Sequence, residues 1–143
     1  MKLRLEIDDL TDDFFDQTRC LGIMAPIKNY QFCWQLNNLL GYNFRLKTDA
    51  EIQLRKKSRA YYFSVYQHTE HNSFLNHYIY HNHDGGEYLL SEFKHMDYLW
   101  LMKGDIVDDI KVLGICASIK SIEGVQLVTE ITSEIRNKER LMF

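Results

Sequence analysis

The stretch "LLSEFKHMDYLWLMKGD", Leu89 to Asp105, decides the fold. Its second half, Met96 to Gly104, is apolar almost without interruption, the pattern of a central strand covered on both faces. The residues before it carry Glu92, Lys94 and His95 and read as the turn that feeds this strand. Asp105 then caps a helix over about Ile106 to Ile119. In it Ile106, Ile110, Leu113 and Ala117 recur at helical spacing as the core-facing stripe, with Asp108 and Asp109 in the first turn, where the helix dipole favours negative charge. Gly114 weakens such a helix by about 1 kcal/mol against alanine, which predicts a close approach to the sheet at that point. "SIEGVQLVTEI" follows as a tight turn and a last strand, and the apolar ending Leu141, Met142, Phe143 is expected to dock.

Working towards the beginning of the chain, "CLGIMAP" reads as a short buried strand ended by Pro26, which cannot donate to a ladder. A helix from Ile27 to Leu40 places Tyr30, Cys33, Trp34, Leu36 and Leu40 on one side, and Gly41 stops it. Between these halves, aromatic and β-branched residues punctuated by "HTEHNS" and "HNHDGG" predict antiparallel strands near Ile52 to Lys57, Ala60 to Gln67, Phe74 to Asn82 and Glu87 to Leu90. The first two could run together as one long strand. The order of elements predicts an α+β fold: an antiparallel sheet with two helices on one face, ferredoxin-like with an inserted β-hairpin, in a single domain over 1–143.

Composition narrows the function classes. The 143 residues are 45% hydrophobic with one proline, which suits one folded domain, and no run approaches the ~20 apolar residues of a membrane span. The acidic opening "MKLRLEIDDLTDD" argues against an export signal. Cys20, Cys33 and Cys116 are odd in number and far apart, as in a reducing cytosol, so the expected location is cytoplasmic. A net charge of −3 gives no general pull on nucleic acid or anionic membrane, although Arg45 to Arg59 holds six basic residues against two acidic ones.

At Leu89–Asp105 the sequence resembles a bacterial family of uncharacterised proteins named for its motif, IPExxxVDY. Leu90, Ser91 and Glu92 stand where the motif has Ile-Pro-Glu, and Met96, Asp97 and Tyr98 where it has Val-Asp-Tyr, with the spacing kept. The likeness extends to "LGIMAPIKNYQFCWQLNNLLG", "SIEGV" and "KERLMF"; Ser91 is the clear departure. The resemblance implies a small cytoplasmic bacterial domain and no particular reaction. Asp97 to Ile131 also looks similar to the second half of amino-acid-sensing ACT-type domains, while Pro26 stands where their first half has a glycine-rich ligand loop.

Several clusters are candidates for chemistry. Glu92 and Asp97 could form an acid and base pair, but five residues and a turn separate them, and carboxylates so placed more often hold backbone amides or a basic neighbour. Glu92, Asp97 and Tyr98 are therefore read as structural, and no catalytic residue is assigned. His81 and His83 have the His-x-His spacing that can supply two nitrogens to zinc, with His68 on the paired strand or Asp84 as a third ligand; an exposed, solvated hairpin is the competing reading. The basic stretch followed by Tyr61, Tyr62 and Phe63 has the make-up of a surface that stacks single-stranded bases, though alternation splits these rings between two faces. Tyr61, Tyr62, Tyr66, Tyr78 and Tyr80 exceed the needs of one core face and form a candidate binding surface. The expectation is a non-enzymatic interaction or ligand-sensing module without a cofactor. It would act as a homodimer or on an unknown protein or small-molecule ligand, with no membrane role and nucleic acid disfavoured. A metal-dependent enzyme built on the hairpin histidines is the alternative.

Overall fold

The structure is a computed structural model that describes residues 9–143. Residues 1–8, on which the argument against export partly rests, lie outside the described residues. After a helical segment (α1, described over residues 9–14), the chain enters β1 (Arg19–Met24) and α2 (Asn29–Leu40). Then come β2 (Arg45–Leu46), β3 (Ile52–Lys56), β4 (Arg59–Phe63), β5 (Val65–Thr69), β6 (Asn76–His81), β7 (His83–Asp84) and β8 (Glu87–Tyr88). A short 3₁₀ turn at Ser91–Phe93 leads into β9 (Tyr98–Lys103), α3 (Asp109–Lys120) and β10 (Leu127–Glu130).

Six strands form one sheet in the order β10-β1-β9-β6-β5-β2, and every pairing in it is antiparallel. The apolar run of β9 lies between β1 and β6, with Leu21 opposite Trp100 and Ile79 opposite the same residue from the other side. Its residues alternate, as a strand requires. Tyr98, Trp100 and Met102 join Leu21, Ile23 and Ile79 under Phe32, Cys33 and Leu36 of α2 and Val112, Ile115 and Ile119 of α3. Leu99 and Leu101 point the other way, into a second core with Val65, Tyr78, Tyr80, Phe93 and Leu141. The sheet is thus covered by helices on one face and by the β3–β4 hairpin, the 3₁₀ turn and the C-terminal segment on the other.

Five local expectations are corrected. The region from Ile52 to Gln67 does not hold one long strand: it turns back at Lys57 and Ser58, both at positive φ (51° and 66°), and breaks again at Ser64, so β3–β4 form a separate hairpin. In α2, Tyr30 and Trp34 face outward, 58% and 63% exposed, and Phe32 takes their place in the core. Ile106, just before α3, and Ile110, Leu113 and Ala117 within it face outward, and Val112, Ile115 and Ile119 face the sheet. Both stripes have helical spacing, so periodicity alone could not choose between them; packing against β1 and β9 does. Gly114 accordingly sits on the exposed side, and nothing among the described residues lies within 4 Å of where its Cβ would stand. The helix cap is Asp108, whose side chain accepts the Lys111 amide at 2.8 Å, while Asp105 accepts the Ile106 amide before the helix begins.

Candidate functional site

The turn that opens β9 is organised by Asn82, a fully buried residue between β6 and β7. Its amide nitrogen donates to the carbonyls of Phe93 (2.9 Å) and Met96 (3.0 Å), and its side-chain oxygen accepts the Leu90 N–H (2.8 Å). Its own backbone bonds to the carbonyl of Asp97 and the amide of Leu89. One residue therefore pins the loop from Leu89 to Asp97, its side chain holding Leu90, Phe93 and Met96 and its backbone the two ends.

The three motif residues extend outward from this hub, each to a different backbone segment. Asp97 accepts the Ala25 amide at 2.8 Å, tying the entrance of β9 to the exit of β1, and its other oxygen lies 3.3 Å from His83 Nε2. The Tyr98 hydroxyl donates to the Ile27 carbonyl, and its ring stacks on Phe32 at 4.6 Å between centroids. Burial raises the Tyr98 phenol well above the ordinary range. Glu92 reaches away from Asp97 and accepts the amides of Arg136 (2.7 Å) and Asn137 (3.3 Å). Burial pushes its carboxyl up, and those amides outweigh burial and leave it lowered. The two carboxylates thus serve separate backbone segments, and Glu92 bonds amides where a basic side chain was expected.

The histidines divide into two groups. His81 and His83 come together, 4.7 Å between ring centroids, beside Asp97 and Tyr98. Burial and the neighbouring His83 lower the His81 pKa. His68 does not join them: on β5 it pairs with His77, four residues along β6 from His81. Among the described residues, no group of three or more His, Cys, Asp or Glu side chains is arranged to hold a metal ion.

His77 is fully buried, and its surroundings form a polar chain that sequence reading missed. The Trp100 indole donates to His77 Nδ1 at 2.9 Å, so the ring proton sits on Nε2, facing Glu70 at 2.7 Å; Lys111 binds the other Glu70 oxygen at 2.8 Å. Burial lowers the His77 pKa against the pull of Glu70. Burial alone would raise Glu70, but Lys111 and His77 outweigh it and hold the carboxyl low. With both ring nitrogens engaged, His77 has no free lone pair with which to accept a proton from a substrate. Beside this chain lies an open polar cleft of about 470 Å³ lined by Arg45, Lys47, His68 and His71, among others.

The tyrosines do not share a surface. Tyr66 packs on the helix-side core, Tyr61, Tyr78 and Tyr80 on the opposite one, and the Tyr80 hydroxyl donates to the Leu141 carbonyl. Tyr62 is the exposed member of the set. The basic stretch is partly spent locally, with Lys56 near Glu87 and Arg59 over the Tyr61 ring. Large apolar side chains meet solvent at scattered positions, Leu10, Leu46 and Phe74 among them, and six gather on the helix layer: Tyr30, Trp34 and Leu39 on α2, Ile110 and Leu113 on α3, and Ile106 just before α3. The signal for Asn82 was present, since it continues the period-two face of Tyr78 and Tyr80, but the surrounding "HNHDGG" masked it.

The fold and these contacts define an α+β protein with a structurally clasped strand entrance and an apolar outer helix layer. Compared with known proteins, the chain matches no family model and no curated protein. Among the described residues, no helix is long and apolar enough to cross a membrane.

Proposed function

We propose that this protein is a non-enzymatic interaction or ligand-sensing module of the cytoplasm that acts as a homodimer. The observation that carries the reading is the outward apolar side of the helix layer, where Trp34, Ile110 and Leu113 are 63%, 81% and 68% exposed. Exposed large apolar residues gathered on one face mark interaction sites. The candidate acid–base residues, by contrast, are engaged in backbone tethering, which supports a scaffold role for Glu92, Asp97 and Tyr98. That role also supports placing the chain with the IPExxxVDY proteins it resembles. The order β10-β1-β9-β6, with α2 between β1 and β6 and α3 between β9 and β10, supports a ferredoxin-like core into which β2 to β5 are inserted.

The test is light scattering of the untagged protein, with elemental analysis on the same sample. The expected outcome is twice 17.1 kDa without stoichiometric transition metal. A monomer at every concentration, or one bound metal per chain, refutes the reading. Ligand sensing has its own supporting observation, the cleft bearing Arg45, Lys47, His68 and His71, where Asp49 pairs with Lys47 at 3.3 Å and Arg45 is the cation that suits a small anionic ligand. Small carboxylates and phosphates should raise the melting temperature of the native chain and not of an Arg45→Ala variant; no shift from any of them refutes this second reading.

A further inference from the structure

Resting on the homodimer reading, we infer that the face of self-association is the outer side of α3, packed antiparallel against α3 of a second copy about a two-fold axis between Leu113 and Gly114. Around the circumference of α3, Val112, Ile115 and Ile119 fill the side towards the sheet, while Ile110, Leu113, Gly114 and Ala117 fill the opposite side; charged and hydroxyl residues are confined to the flanks. A helix that is apolar on both sides is normally buried on both. Among the described residues of its own chain, α3 is covered on one.

Three features of the helix select a second copy as the cover. The first is shape. When two such helices run antiparallel about that axis, Ile110 of each lies over Ala117 of the other, Leu113 meets Leu113, and the two Gly114 residues face one another. Large side chains then meet small ones, and the absence of a Cβ at the crossing lets the axes approach closely. Gly114 is otherwise unexplained, since it weakens the helix and no described atom of its own chain occupies the space beside it. The second feature is charge. Asp109 and Lys120 lie on the same flank at opposite ends of α3, so the antiparallel arrangement sets each beside its opposite on the other copy, as an isologous contact requires. Asp109 is 88% exposed at its side chain although Arg19 approaches it at 2.8 Å, so it remains open to a second cation. The third is area. Tyr30, Trp34, Ile106, Ile110 and Leu113 are each more than half exposed. Their exposed apolar surfaces add to on the order of 600 Å², against the about 800 Å² that a standard interface takes from each partner. α2 contributes no charged side chain anywhere along Asn29–Leu40, so nothing on it repels a second copy.

The experiment is light scattering across concentration on the untagged native chain and on variants of the outer side. The expected result is twice 17.1 kDa for the native chain and 17.1 kDa for Leu113→Lys and for Ala117→Glu, with the far-ultraviolet circular dichroism of the native protein. Both positions are exposed, so either variant suffices if the other fails to fold. A native chain that stays monomeric overturns the homodimer reading and this assignment with it. A native dimer that survives both substitutions overturns the assignment alone and leaves the homodimer standing. The antiparallel arrangement is read separately by mixing Asp109→Lys with Lys120→Asp: each alone should dimerise more weakly than the native chain, and the mixture more tightly than either. A mixture no tighter than its components overturns the antiparallel pairing.

Discussion

Replacing Asn82 with alanine tests whether one buried amide holds the entrance of β9. The side chain makes three close hydrogen bonds at 2.8–3.0 Å, to Phe93, Met96 and Leu90, and the residue is completely buried. Truncation would leave two carbonyls and one amide without their partner in a dry site. At about 1–1.5 kcal/mol for each bond lost with its partner stranded, the expected loss is about 3–4 kcal/mol. For a chain of 143 residues that corresponds to a fall in melting temperature of about 10–15 °C. Asn82→Asp should be at least as damaging above pH 5, because it keeps the acceptor facing Leu90 but turns the donor into a charged oxygen facing two carbonyls. The assay is urea unfolding followed by tryptophan fluorescence, with Trp100 in the helix-side core as the reporter. A loss for Asn82→Ala below about 1 kcal/mol, with an unchanged denaturant slope, would refute the claim that this residue organises the loop.

Three further outcomes follow from the same contacts. Ser91 is exposed at the first position of its 3₁₀ turn, after an extended Leu90 (φ −114°, ψ 99°), so Ser91→Pro should stabilise by about 0.4–1 kcal/mol; a loss in chemical denaturation would show that the turn cannot accept the ring. Gly104 has φ +107°, and a Cβ there would meet the Phe74 carbonyl oxygen at 2.3 Å, so Gly104→Ala should cost about 2–4 kcal/mol, checked by thermal melting. Acid should destabilise the protein in two stages. His77 is held below its ordinary 6.5, so the unfolded chain takes up that proton first and stability falls as pH drops below 6.5; Glu70, held below 4.5, adds a second fall under that value. His77→Gln should flatten the first fall by up to about 1.4 kcal/mol per pH unit in urea titrations between pH 7.5 and 5, and an unchanged slope would place the proton uptake elsewhere.

The central strand was legible because a run covered on both faces has no polar alternation to confuse it, and β1 with Pro26 after it was legible for a similar reason. The turn at Lys57–Ser58 was legible as the gap between the strands read at Ile52–Lys57 and Ala60–Gln67, but the break at Ser64, which parts β4 from β5, carries no glycine, proline or asparagine to announce it. Side-chain direction was the least legible property. In α3 the two apolar stripes are equivalent in spacing, and of the tyrosines that looked like a surface, all but Tyr62 pack into two separate cores. The Glu70–His77–Trp100 chain joins residues up to thirty positions apart on two strands and a turn, and no local pattern marks such a meeting.

The position of β1 sets a schedule for synthesis. Residues 19–24 leave the ribosome well before their hydrogen-bonding partners, residues 98–102 and 127–130. Until those arrive, an apolar strand has both edges open, a contact order that slows folding and leaves the nascent chain exposed to strand-to-strand aggregation. Cells making this protein in quantity should therefore draw on chaperones that shield extended apolar segments during translation, and a circular permutant that begins at β9 should have a smaller demand for them.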